Sequence, residues 1–259
     1  MKNKLVTSRR TALFLGAVTA FSLITGSSLA LADDPPAEGF QQVVVELYTS
    51  QGCSSCPPAD KILGELANQP NVIPLSLNVD YWDYLGWRDT LGSSKHTKRQ
   101  KQYAASRGSR QVYTPQMIIN GHLDVVGSQR GKVMAAVKKE QTTTPRVPMK
   151  ISETSKEITI DVGDSPNSQL MSKATIWVLV TSPKVSIPIE RGENRGRKIT
   201  YHNVVRQLVP AGMWNGKAIR ITLPKDGLGM SGNRDCIVLL QKGNVGKIIG
   251  VARMSAQKS

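Results

Sequence analysis

The residues of this chain whose type and spacing most directly suggest chemistry are Cys53 and Cys56, in the stretch Cys53-Ser54-Ser55-Cys56. A C-x-x-C pair behind a strand and ahead of a helix can open and close a disulfide without moving the rest of the fold. A thiol at a helix N-terminus is also acidified by the peptide dipoles. Both flanks are present. Val43-Val44-Val45-Glu46-Leu47-Tyr48 is short, continuous and β-branched, the pattern of a buried strand. Residues 59–67 place Ile62, Leu63, Leu66 and Ala67 on one helical face. Pro57 and Pro58 follow Cys56 directly. A residue before proline is steered out of α geometry and proline is tolerated in a first turn, so the helix is expected to begin at Pro57 or Pro58 rather than at Cys53. That start weakens the dipole's hold on Cys53.

The elements that must position the pair follow in order. Residues 72–79 read as a second strand and residues 94–107 as a polar, basic helix ended by Gly108. Tyr113-Thr114-Pro115 leads into the strand Gln116-Met117-Ile118-Ile119. Asn120-Gly121 then predicts a tight hairpin into a strand over 123–126. A helix over 128–140 closes a β-α-β-α-β-β-α unit. Residues 141–148, rich in Thr and Pro, break the composition and read as a linker. Seven short strands spaced by Gly, Pro, Asn and Asp turns follow, the pattern of a small antiparallel β-sandwich. Between the second strand and the second helix, Tyr81, Trp82, Tyr84 and Trp87 crowd into one loop. Loops at the carboxyl edge of parallel strands border the ligand crevice. Tyr81 and Trp82 are therefore candidates for a substrate platform, with an anchor between two domains as the alternative.

C-x-x-C after the first strand, with Thr114-Pro115 before the hairpin strand, resembles the thioredoxin fold. The wider set Cys53-Ser54-Ser55-Cys56-Pro57-Pro58-Ala59-Asp60, Tyr113-Thr114-Pro115-Gln116 and Arg191-Gly192-Glu193-Asn194 is similar to a family of bacterial secreted thioredoxin-like proteins catalogued as a domain of unknown function. The resemblance covers nearly the whole chain after the leader. It implies an α/β thioredoxin-like domain over 41–140 and a β-sandwich domain over 149–255. It implies a cis-proline at Pro115, whose preceding Thr114 presents backbone to substrate. It also implies an exposed Cys53 that attacks and a buried Cys56 that resolves. The buried acid that thioredoxins keep near the resolving cysteine could be Glu46, whose alternative is a solvent-facing strand residue. It could instead be Asp60, one helical turn past Cys56, whose alternative is a first-turn acid complementing the dipole. The chain departs from thioredoxin in having Gly52 before the pair, Ser54-Ser55 within it and two prolines after it.

The opening residues set the compartment. Lys2, Lys4, Arg9 and Arg10 precede an apolar run that ends in Ala30-Leu31-Ala32, an A-x-A cleavage site. Residues 1–32 are expected to be a signal peptide of the twin-arginine or general secretory type, so the protein is expected in the periplasm or outside the cell, with no stable membrane span after cleavage. Disulfides persist there. Three cysteines are too few for a disulfide scaffold. The balance of 34 Lys+Arg against 19 Asp+Glu allows contact with an anionic surface. Export and the scatter of the bases exclude nucleic acid. The expected function is a thiol–disulfide oxidoreductase acting on protein or small-molecule thiols, without cofactor or metal. A periplasmic copper metallochaperone and a non-catalytic binding module with a structural disulfide are the alternatives. His96, His122 and His202 lack motif spacing to the cysteines, and Cys236 lies in a strand-like run, as a buried free thiol does. The Arg191–Arg197 cluster reads as a polar turn held by its own ion pairs.

Overall fold

The aliphatic and β-branched runs form strands wherever a neighbour can cover both faces. The computed structural model describes residues 42–143, 146–166, 172–230 and 232–255; the expected signal peptide lies outside them. In chain order the elements are β1 (Val43–Thr49), α1 (Pro57–Leu66), β2 (Val72–Asn78), α2 (Ser94–Ser106), β3 (Gln116–Ile119), β4 (Leu123–Val126) and α3 (Arg130–Thr143). Then come β5 (Met149–Glu153), β6 (Glu157–Val162), β7 (Ala174–Pro188), β8 (Lys198–Trp214), β9 (Ile219–Pro224), β10 (Asp235–Lys242) and β11 (Ile248–Met254).

Eight strands form one mixed sheet in the order β11-β10-β7-β8-β2-β1-β3-β4, and β5, β6 and β9 form a second, antiparallel sheet. β1 and β2 are parallel and joined through α1, whereas β3 runs antiparallel to β1 and pairs with β4 through the Asn120-Gly121 turn. The strands after the linker thus divide. β7, β8, β10 and β11 extend the sheet of the N-terminal half, and β5, β6 and β9 cover one face of that extension.

The join between the halves is parallel and short, with Ser76 of β2 opposite Val204 of β8. Pro74 has no N–H for a regular ladder, and side chains complete the seam. Ser76 Oγ donates to the His202 carbonyl (2.9 Å), and Asn203 Nδ2 donates to the Pro74 carbonyl (2.9 Å).

Alternation along the strands sorts the core into layers. Val43, Val45 and Leu47 face α1 and α3 through Ile62, Leu63, Leu66, Val133 and Val137. Val44 and Tyr48 face the other way, with Leu75, Leu77 and Tyr103, and this layer continues through Leu179, Val205, Ile237 and Leu239 of the C-terminal strands. Ile176, Val178, Cys236 and Val238 point to the opposite face and pack against Ile158 and Ile160 of the second sheet.

Candidate functional site

β1 ends at Thr49, and the chain must turn before α1 can pack back on it. That turn is residues 50–56. The Cys53 N–H donates to the Ser50 carbonyl and the Cys56 N–H to the Cys53 carbonyl, both at 3.2 Å. This folding brings the two Cα atoms to 5.4 Å, and the sulfurs are joined as a disulfide. Helix α1 begins at Pro57, as the two prolines require, and Cys56 is its N-cap. Neither proline has an N–H, and the next two amides, of Ala59 and Asp60, both donate to the Cys56 carbonyl (2.8 and 3.1 Å).

Three neighbours hold the loop. Asn194, at the tip of the β7–β8 hairpin and fully buried, donates through Nδ2 to the carbonyls of Gln51 (2.9 Å) and Cys53 (2.8 Å). Asp89 accepts the Gln51 N–H (2.8 Å) and the Asn78 side-chain amide (3.0 Å). Trp87 Nε1 donates to Gln51 Oε1 (2.7 Å). At Gly52 a Cβ would lie 3.2 Å from the Trp82 carbonyl and 3.3 Å from Trp82 Cβ, so the aromatic loop leaves little room for a side chain before Cys53.

The expectation of an exposed Cys53 is corrected. Cys53 is 4% exposed and Cys56 fully buried, while Ser54 and Ser55 between them face solvent. Asn194 ties the Gln51 and Cys53 carbonyls of the loop to the tip of the β7–β8 hairpin. Ser55 Oγ lies 3.4 Å from Cys53 Sγ and donates at 3.5 Å to the Thr114 carbonyl. The Thr114-Pro115 peptide is cis. Trp82 Nε1 donates to Thr114 Oγ1 (2.8 Å), and Tyr81 and Tyr84 flank the Trp82 ring at centroid distances of 5.8 and 6.3 Å. Cys53, Cys56, Thr114, Pro115, Tyr81 and Trp82 are therefore one cluster, and Trp87 serves as the anchor.

The two acids separate. Glu46 is fully buried but lies on the α2 face of the sheet, opposite α1. Arg99 Nε (2.7 Å) and the Tyr103 hydroxyl (2.5 Å) hold its carboxylate. A solvent-facing Glu46 is thus corrected, and its carboxylate is committed away from the sulfurs. Asp60 is 3% exposed, and neither of its carboxyl oxygens has a hydrogen-bond partner. Burial pushes its pKa up to about 8; the Thr49 hydroxyl opposes the shift and the Asp89 charge adds to it. Asp60 is a carboxylic acid at neutral pH, one helical turn from Cys56.

Sequence reasoning missed Asn194, Gln51 and Asp89. Of the cluster read as a self-paired polar turn, Arg191, Glu193, Arg195 and Arg197 are exposed, and Asn194 alone is buried against the disulfide loop. The signal available was an Asn within an otherwise charged tip. His96 Nδ1 meets the Asn78 carbonyl (2.9 Å), His122 lies by Asn120 and Glu140, and His202 faces α1. Among the described residues no group of three or more His, Cys, Asp or Glu is placed to hold a metal ion. Cys236 is a buried free thiol in the core between the sheets, its pKa pushed up to about 12 by burial and by Glu153 and Asp235.

A protein-family model described as a protein of unknown function, DUF1223, matches residues 44–241. A crystal structure of a protein from Agrobacterium tumefaciens is 32% identical, with a TM-score of 0.74, over 86% of this chain and 98% of that one. HBP35 of Porphyromonas gingivalis superposes with a TM-score of 0.55 over 85% of this chain and 76% of that one, at 13% identity, a likeness of fold alone. No curated protein matches.

Proposed function

We propose a function for a chain that belongs to the DUF1223 family of proteins of unknown function: it is an exported thiol–disulfide oxidoreductase with a thioredoxin-like N-terminal half, acting on protein or small-molecule thiols. The observation that carries the reading is the Cys53–Cys56 disulfide set beside the cis Thr114-Pro115 peptide, with Ser55 Oγ between them. The leader expected over residues 1–32 supports export to an oxidising compartment, where such a pair is kept as a disulfide.

The disulfide form suits oxidation of a thiol. A substrate thiolate attacks Cys53 Sγ and forms a mixed disulfide. The Cys53–Cys56 bond breaks, and Cys56 leaves as a thiolate. Asp60, protonated at neutral pH, gives it a proton. A second substrate thiolate then attacks the substrate sulfur of the mixed disulfide and releases the oxidised substrate, leaving Cys53 as a thiolate. Two electrons pass from two thiols to one protein disulfide. Trp82, standing over Gly52 and bonded to Thr114, supplies beside the loop the indole that thioredoxin carries just before its first cysteine.

The burial of Cys53 favours a second reading, a binding module in which the bond is only structural. Trapping separates the two. With Cys56→Ser, the redox reading expects mixed disulfides on Cys53 that dissolve on reduction and are absent from Cys53→Ser/Cys56→Ser. A Cys56→Ser protein that remains a free thiol in the presence of small disulfides supports the structural bond.

A further inference from the structure

We propose that the groove between α1 and the start of β8 receives the carboxylate end of a small acidic thiol, so that the pair's substrates are low-molecular-weight thiol anions rather than polypeptides. The inference rests on the redox reading above and narrows its substrate class.

The groove has a volume of about 700 Å³, within the range of small-molecule sites. It starts at Pro57, the residue bonded to Cys56, and runs past Asp60 and Gly64 to Lys198 and His202. The close approach of α1 to β8 forms its floor. A Cβ at Gly64 would stand 2.8 Å from His202 Nε2, which accounts for a glycine in a helix interior, where it costs about 1 kcal/mol relative to alanine.

The charges favour an anion. Lys61, Arg197 and Lys198 are exposed on the rim, and none has an ion pair among the described residues. Glu65 is bound to Arg130 (2.9 Å). Asp60 lines the inner wall of the groove, but it is only 3% exposed and its carboxyl oxygens are buried beneath the surface, toward Thr49 and Asp89. With its pKa pushed up to about 8 by burial, Asp60 adds little repulsion toward an anion in the groove. Burial and Lys184 lower the pKa of His202, so its ring is neutral as well.

Access argues for small substrates. Cys53 is 4% exposed and Cys56 fully buried, and the Gln51 and Cys53 carbonyls each accept from Asn194. A polypeptide that pairs through its backbone finds those acceptors taken. A small thiol needs only a narrow path, and the cations beside Pro57 concentrate its anion there.

The test is single-turnover reduction of the oxidised protein by mercaptosuccinate, 2-mercaptoethanol and cysteamine, with rates expressed per thiolate. The expected result is a rate for mercaptosuccinate at least tenfold above 2-mercaptoethanol, with cysteamine slowest. In Arg197→Ser/Lys198→Ser that preference falls toward unity. In Lys173→Ser/Lys217→Ser, which removes the same charge from another part of the surface, it stays. A saturable shift of the His202 ring signal on adding succinate gives a second readout. Equal per-thiolate rates, or equal loss of preference in both double variants, overturn the acidic-thiol assignment and leave the redox reading standing. A disulfide that even dithiothreitol leaves intact overturns both.

Discussion

Asp60 is the residue on which the chemistry and the stability of the site meet. Its proton is held more tightly in the folded protein, up to about pH 8, than in the unfolded chain, where a carboxyl titrates near pH 4. Between those values the native state binds more protons than the unfolded state. Stability therefore falls as pH rises through this window, by about 1.4 kcal/mol per pH unit at the steepest, and levels off above it. Asp60→Asn keeps the shape and removes the titration. Urea denaturation from pH 5 to 9 should show a flatter profile for the variant, with its relative gain rising with pH to a plateau above pH 8, and the residual slope belongs partly to Asp89, whose pKa burial also raises. An unchanged profile would remove Asp60 from the proton account. Position 60 was legible from helical spacing alone as one turn past Cys56, where its N–H donates to the Cys56 carbonyl. Its unpartnered burial was not, because β8, which closes over it, lies far along the chain.

At the scale of the element, the start of α1 decides how strongly Cys53 is activated. A helix N-terminus stabilises a thiolate through free amides. Here two are missing at Pro57 and Pro58, and the next two are spent on the Cys56 carbonyl. In the reduced protein, Pro57→Ala/Pro58→Ala restores donors and should lower the Cys53 thiol pKa by about 0.5–1 unit. Titration of thiolate ultraviolet absorbance reads it, and an unchanged pKa would show that the helix end does not act on Cys53. This helix start was readable from the sequence, because proline acts locally. The lengths of β7 and β8, 15 and 17 residues, were not. Pro183 and Pro210 resemble strand breakers. Beyond Thr181, however, β7 has lost β10 as a partner, and β8 meets β2 only near Val204. Each proline therefore sits where one edge is free, which is where a strand tolerates it. The extra length carries Asn194 to the disulfide loop.

Across the whole molecule, the linker seen in the composition does not mark a division of the core. Val44, Tyr48, Leu75 and Leu77 share one buried layer with Leu179, Val205, Ile237 and Leu239. The buried Glu46–Arg99 pair is completed by Gln241, whose Oε1 accepts from Arg99 (2.9 Å). A chain of residues 33–143 would expose that layer and leave the ion pair short of a partner, at a cost larger than the few kcal/mol by which domains of this size are stable. It should show poorly dispersed amide NMR signals and no cooperative unfolding. Sharp dispersion and a cooperative transition would establish an autonomous N-terminal half. The order of strands and helices was legible because periodicity is local. Their assembly into one eight-stranded sheet was not, since it depends on the β2–β8 seam, made by Ser76, Pro74 and Asn203 across more than a hundred residues.

The sharpest check on the exchange reading is the reduction potential of Cys53–Cys56, from equilibration in thiol–disulfide buffers of the chain from residue 33 onward, without the leader expected over residues 1–32. A pair that exchanges with substrate thiols should equilibrate at a potential above about −300 mV. A bond that only braces the loop should resist reduction below that value, and such a result would contradict the account.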